Sequence, residues 1–386
     1  MPSDGIRARL LVLFVTVIAV GSCATEGLRR PQPDIDARIR FYTKKVSQHP
    51  RLHQGYALLA VAYLDKARET LDPAFLAKAG LTLEHSITIQ PNFLAFKTMT
   101  ALSNFTHRFE DALRWGKRAA EASPNDTAVT ALLVEAYMGL GRYDDAAKLL
   151  PPVGSKPGDF YTVAALGQWL ASQLRYDEAV DAFLDAATFA RAEGVIDLVV
   201  WAEVSAAGAL LDWGHPGLAR PHLDVAASLS SSNKVVQREL RLHLAEFYEA
   251  EGRLEKALAL YGVLLEKQDV PDIHHKAFLL ARWLDREGQA QRHFKAAEKG
   301  FQDAIDAGEV YTLGALARLY AEADVNIEKA LGLARHNMEY KRDTKAEATL
   351  AYVRSKQRVP RRPPGQPGTR ESGARPVIAS IQVIRT

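Results

Sequence analysis

The 386-residue chain carries 49 lysines and arginines against 46 acidic residues, a net charge of +3, 47% hydrophobic residues and a single cysteine. That apolar share supports a sizeable core and excludes wholesale disorder, and the lone Cys23 excludes an internal disulfide framework or a cysteine-cluster zinc site. Six arginines and one acid crowd into residues 357–386, so the body is mildly acidic, which argues against nucleic acid as its main partner.

At the N-terminus, Arg7 and Arg9 precede an apolar run from Leu10 to Val20. The run is shorter than the ~20 residues a bilayer-spanning helix needs, and a basic start, a short apolar run and then small residues read as a secretory signal over 1–22. The stretch Val20-Gly21-Ser22-Cys23 resembles a bacterial lipoprotein signal. The resemblance implies a lipidated Cys23 holding the body to a membrane surface. Ala24, where an Asp would favour the inner membrane, leans to the outer membrane. A plain signal cut after Gly21 or Ala24, leaving a periplasmic or secreted chain, and an uncut N-terminal anchor stay open beside it. Residues 23–35, with Pro31 and Pro33, read as a polar tether.

The body repeats. A phrase recurs as Arg108-Phe109-Glu110-Asp111-Ala112, Arg142-Tyr143-Asp144-Asp145-Ala146, Arg175-Tyr176-Asp177-Glu178-Ala179 and Arg253-Leu254-Glu255-Lys256-Ala257. Ala79, Ala112, Ala146 and Ala179 are spaced by 33, 34 and 33 residues, and Ala219 and Ala257 follow at 40 and 38. Gly141, Gly214 and Gly252 stand five residues before their alanines. Upstream of the phrase, apolar residues such as Leu132, Leu133, Ala136 and Tyr137 recur at helical spacing. Gly141 then ends that helix. The phrase opens a second helix, with its acids in the first turn, where the dipole favours them. The aromatic fills the space between the two helices, the alanine lets them approach, and Pro91 or Pro124 stops the second one. Such a hairpin has one sticky face, which neighbours must bury.

This pattern resembles the tetratricopeptide repeat family, through Leu133, Tyr137, Gly141, Tyr143 and Ala146 in the third unit and Leu166, Gly167, Tyr176, Ala179, Phe183 and Ala186 in the fourth. The resemblance implies an all-α fold: a right-handed superhelical solenoid of about eight repeats over 36–353, with about sixteen helices. Three departures stand out. Residues 66–73 are expected to lengthen the turn of the first unit. His293 stands where the seventh unit would have its alanine. The last apolar stretch, Ala351-Tyr352-Val353, has no evident partner, so the array end is expected to fray or to self-associate into homo-oligomers. The tail 354–386 reads as a basic Pro/Gly/Arg-rich segment. It is a lipid- or glycan-touching arm, an uncapped disordered end or the product of a frame change.

His274, His275 and His293 offer no metal-ligand spacing. There is no phosphate-cradling glycine loop and no serine nucleophile elbow, so no catalytic, cofactor or metal residue is assigned and an enzyme is disfavoured. Trp115, Trp169 and Trp283 read as hairpin packing. The resemblance instead implies a groove lined by the first helix of each unit, here Lys97, Asn104 and Phe105, then Glu135, Tyr161, Gln168, Trp201, Glu239, Glu246, Glu249 and Arg282. With only Lys97 and Asn104 of a carboxylate-clamping set, the groove suits an extended or helical protein segment with basic and apolar residues; ordinary solvated helix faces are the alternative. Trp201→Ala with Glu246→Lys is expected to weaken partner binding without unfolding the chain. The resulting reading is a membrane-tethered scaffold or adaptor of a bacterial envelope that binds protein or peptide partners in assembly, secretion or polymer export. A soluble adaptor, a self-assembling structural protein and an accessory subunit of an enzyme are the alternatives.

Overall fold

The computed structural model describes residues 34–70, 72–154, 158–229, 231, 233–266, 269–306, 308–340 and 344–357. The predicted signal, Cys23, most of the tether and the tail beyond 357 lie outside these residues. Among the described residues all regular structure is helical, with no strand. In chain order the helices are α1 (Ile35–Gln48), α2 (His53–Thr70), α3 (Pro73–Ile89), α4 (Phe93–Phe105), α5 (Phe109–Ala122), α6 (Thr127–Gly139), α7 (Tyr143–Ala147), α8 (Phe160–Ser172) and α9 (Tyr176–Glu193). Then come α10 (Ile196–Trp213), α11 (Pro216–Ser228), α12 (Lys234–Ala250), α13 (Leu254–Leu265), α14 (Pro271–Trp283), α15 (Glu287–Asp306), α16 (Leu313–Glu322), α17 (Ile327–Tyr340) and α18 (Thr344–Gln357). The sixteen helices the repeats call for are therefore α2–α17, and two further helices flank them.

The helices fall into two compact arrays. Among the described residues, the N-terminal array comprises 34–206 with 224–240, and the C-terminal array 207–223 with 241–357. In the first, α2 packs on α3, α4 on α5 and α8 on α9 as hairpins, while α2, α4, α6 and α8 lie side by side. In the second, α14 pairs with α15 and α16 with α17. Ala79, Ala112, Ala146, Ala179, Ala219, Ala257 and Ala330 are all fully buried, as close helix approach demands. Gly167 serves the same end: a Cβ there would stand 2.8 Å from the Phe183 ring.

The turns of the second to seventh units share one backbone design. The residue five before the alanine is left-handed: His107, Gly141, Leu174, Gly214, Gly252 and Asp285 all have φ between 54° and 86°. The next N–H closes back on the preceding helix, as in Arg108 N to Ser103 O at 2.8 Å, Arg142 N to Tyr137 O at 2.9 Å and Arg286 N to Ala281 O at 2.9 Å. This satisfies carbonyls that the helix end would leave open. The arginine then folds onto the helix it has left: Arg142 lies 4.7 Å from the Tyr137 ring and Arg253 4.7 Å from the Tyr248 ring.

Several expectations are corrected. Residues 66–70 continue α2, and Pro73 occupies the first turn of α3, so the insertion lengthens a helix and not a turn. The Asp72 side chain accepts the Ala74 N–H at 2.9 Å and fixes that start. The seventh unit has its small residue after all. Ala290 is buried and stands five residues after the left-handed Asp285, and His293 lies one turn further on. The second helix of the third unit, α7, is only five residues long. The end of the array has a partner: α18 packs on both α16 and α17, burying Ala346, Thr349 and Val353. It is a capping helix. Trp115 stacks on Phe96 at 6.0 Å and Trp169 donates to the Tyr143 carbonyl at 3.1 Å, but Trp283 is 61% exposed and is not packing.

Candidate functional site

In the N-terminal array the side-by-side first helices carry a ladder of polar residues. Their starts are fixed in one register: Asn92, Asp126 and Asp159 cap α4, α6 and α8, each accepting a backbone N–H with its side-chain oxygen. Lys97 reaches from α4 to that cap and places its Nζ 3.1 Å from both Asp126 oxygens. Asn104 donates its Nδ2 to the Leu132 carbonyl of α6 at 2.9 Å. Arg68, at the end of α2, pairs with Asp65 at 3.5 Å and lies 5.9 Å from the Phe105 ring. Burial pushes its guanidinium down to about 10, against the pull of Asp65 and Glu135. Trp201 is held edge-on between Phe160 and Phe183, with centroids 5.6 and 5.8 Å away.

The C-terminal array carries a second ladder on α12, α14 and α16. His243 Nδ1 is 2.8 Å from Glu246, whose other oxygen is 3.2 Å from Lys276 Nζ. Glu249 accepts from the Tyr261 hydroxyl at 2.9 Å. Glu322 is the hub of the last unit. It meets His275 Nε2 at 2.6 Å and accepts from Arg318 Nε at 2.9 Å, and its backbone carbonyl accepts from Arg282 at 2.7 Å. Burial alone would raise the Glu322 carboxyl; His275 and Arg318 outweigh it and hold the group below its usual range.

The sequence-predicted residues thus divide. Lys97, Asn104, Glu135, Gln168, Trp201, Glu239 and Glu246 are buried; Phe105, Tyr161 and Glu249 are half-buried; Arg282 is exposed. Trp201 is therefore not an exposed aromatic. The expectation that Trp201→Ala with Glu246→Lys would leave the fold intact fails on the same ground. One change opens a cavity between the Phe160 and Phe183 rings, and the other sets a cation beside buried Lys276 and His243. Lys97 through Glu239 belong to the N-terminal array, and Glu246, Glu249 and Arg282 to the C-terminal one. Sequence reasoning missed Arg68, Asp126, Lys276, Arg318 and Glu322. The 33- to 34-residue spacing of Asn92, Asp126 and Asp159, each just ahead of an apolar run, was a readable signal for the caps.

No trio of histidine and carboxylate side chains is placed to hold a metal among the described residues. His274 and His293 do meet, Nδ1 to Nδ1 at 2.8 Å, with Asp269 against His274 Nε2. Burial, then the charges of His274 and Arg292, push His293 down to about 4.

A family model described as Tetratricopeptide repeat matches residues 106–166, the stretch from the left-handed His107 to the middle of α8. No curated protein sequence matches the chain. Among solved structures, a monomeric IFIT1 mutant with Gppp-AAAA is 16% identical, covering 77% of this chain and 71% of its own, with a TM-score of 0.45. A second monomeric IFIT1 mutant, with m7Gppp-AAAA, has the same identity and coverage and a TM-score of 0.44. A signal transduction ATPase with numerous domains and a tetratricopeptide repeat sensor, from Pyrococcus horikoshii, is 13% identical. It covers 79% of this chain and 49% of its own, with a TM-score of 0.43.

Proposed function

We propose that the chain is a scaffold of a bacterial cell envelope, held to a membrane through Cys23, that captures a protein segment on the first helices of its repeats. The carrying observation is the side-by-side alignment of α2, α4, α6 and α8, within which the tetratricopeptide match falls. Repeat hairpins so aligned offer a continuous, pre-formed surface along which a partner segment makes many small contacts. The polar ladders are mostly spent on holding neighbouring hairpins together. Recognition therefore falls to the less buried positions, Phe105 and Tyr161 in the N-terminal array and, separately, Glu249 and Arg282 in the C-terminal one, with aromatic side chains for affinity and charge for specificity. No enzyme family is indicated, and recognition alone is the activity assigned.

The test is cross-linking in the native cell, followed by capture of the tagged chain and mass spectrometry, with Cys23→Ser in parallel. A defined set of envelope proteins, depleted in the Cys23→Ser sample, is expected, together with an acyl mass on the residue-23 peptide. Recovery of the same set without Cys23 dependence selects the soluble adaptor. Recovery of only the chain itself selects self-assembly. Phe105→Ala and Arg282→Ala probe the surface itself: capture is expected to weaken while helix content holds, and undiminished capture removes these positions.

A further inference from the structure

The first helix, α1, packs on α2 through one face only. Ile35, Ile39, Tyr42 and Val46 recur at helical spacing, and Val46 is buried against the Gly55 turn of α2. On that side the cations are paired: Arg38 with Asp65 at 2.9 Å and Asp36 with Lys66 at 2.9 Å. The opposite face carries the exposed Arg40, Phe41 and Lys44, which at 100° per residue fall within one arc pointing away from α2, with the half-buried Lys45 at its edge. None of these three cations has an acidic partner among the described residues. Phe41 stands among them 59% exposed, with Lys45 Nζ 5.7 Å from its ring. A merely solvated end of a helical array calls for charge but not for an open phenylalanine. Cations around an exposed aromatic are the chemistry of a helix lying on a lipid surface. A second copy of the chain would bring like charge against like.

We propose that this outer face of α1 docks on anionic lipid head groups, with the Phe41 ring entering the head-group boundary. The inference rests on the membrane-tether reading for its geometry. Cys23 is twelve residues before Ile35, so an anchor there holds α1 within about 40 Å of the bilayer even if the tether is fully extended. Docking would add a fixed contact with the membrane beside α2 to the attachment at Cys23.

The experiment uses the full chain as Cys23→Ser, which leaves it free of cysteine, with Gln48→Cys on the same face of α1 carrying a nitroxide. Vesicles of phosphatidylcholine containing phosphatidylglycerol are compared with pure phosphatidylcholine. On the anionic vesicles the label is expected to lose contact with a water-soluble relaxation agent and gain contact with a lipid-soluble one. A label at Leu81→Cys, on exposed α3 surface, is expected to stay in water. Replacing Arg40, Lys44 and Lys45 together by Gln should raise the lipid needed for the change on the order of 100-fold. A chain that does not associate with the anionic vesicles overturns the proposal. So does a label that stays in water on the bound chain, or one that responds equally to uncharged vesicles. The label reports without acylation, and the acyl mass on Cys23 is read separately, so failure of the tether and failure of the docking face are told apart.

Discussion

The left-handed residue five before the alanine in six of the units shows how single positions carry the repeat. Three units place Gly there, and three place His107, Leu174 and Asp285 at φ of 56°, 62° and 54°. A β-carbon in this conformation costs roughly 1–2 kcal/mol, partly returned because Gly enlarges the unfolded ensemble. Leu174→Gly should therefore stabilise the chain by about 0.5–1 kcal/mol, read as a higher urea midpoint at unchanged slope; a lower midpoint would show that the half-exposed leucine does more than strain the turn. Glu322 gives a second residue-scale prediction. Its folded carboxyl lies below the ordinary 4.5, where His275 and Arg318 outweigh burial. The stability it adds is complete at neutral pH and drains away as pH falls through 4.5 and then through the lower folded value. Glu322→Gln leaves the largely buried Arg318 guanidinium without its counter-charge and removes the acceptor that meets the buried His275 ring, and it should cost about 3 kcal/mol at pH 7. The gap to the parent should then narrow steadily below about pH 4.5. A gap of constant size across pH 7 to 3 would mean that the carboxylate charge is not what Glu322 contributes.

At the level of the element, the hairpins were legible because their signals are local. The buried alanine, the capping glycine and the acids of the first turn all sit within one stretch of chain, so spacing alone places each second helix. The polar ladder was not legible. Lys97, Asn104 and Glu135 fall on the helix face that periodicity assigns to solvent, and only the neighbouring hairpin, thirty or so residues away, covers them. The same holds for Trp201, which shape alone commits to Phe160 and Phe183. The seventh unit's small residue is hard to place from sequence, and His293 falls at the expected position, because the aromatic of the phrase is missing in 286–290 and Ala290 is left without its marker. The two caps separate local from neighbouring contributions. Asp159 caps α8 through Thr162 N–H at 3.1 Å, and Asp159→Ala should cost about 1 kcal/mol. Asp126 caps α6 and also neutralises buried Lys97, so Asp126→Ala should cost about 3 kcal/mol or more. Equal losses in urea unfolding would show that Lys97 finds water or another acid when Asp126 is gone.

Across the whole molecule, repeat hairpins contact mainly their neighbours, so damage should spread only as far as neighbour contacts carry it. The C-terminal cap offers the sharpest trial. The periodic pattern ends at Val353 with no further phrase after it, which is why the sequence suggested an open end. The structure instead uses α18 as a single helix whose one buried stripe, Ala346, Thr349 and Val353, closes α16 and α17, while its remaining faces are half-buried or exposed. Val353→Asp puts a carboxylate into that closed seam, where desolvation without a partner costs several kcal/mol. Amide exchange across 313–340 should then accelerate on the order of 100-fold. Exchange across 93–139 in the N-terminal array should keep its protection, because repeat hairpins are stabilised mainly by their immediate neighbours. Uniform acceleration of both stretches would instead make the chain one cooperative unit, in which the cap secures repeats far from it. Unchanged exchange across 313–340 would mean that α18 is dispensable and that α16 and α17 close the array by themselves. The expected result also separates capping from self-association: a chain closed by α18 keeps this protection at dilutions where any dimer has dissociated.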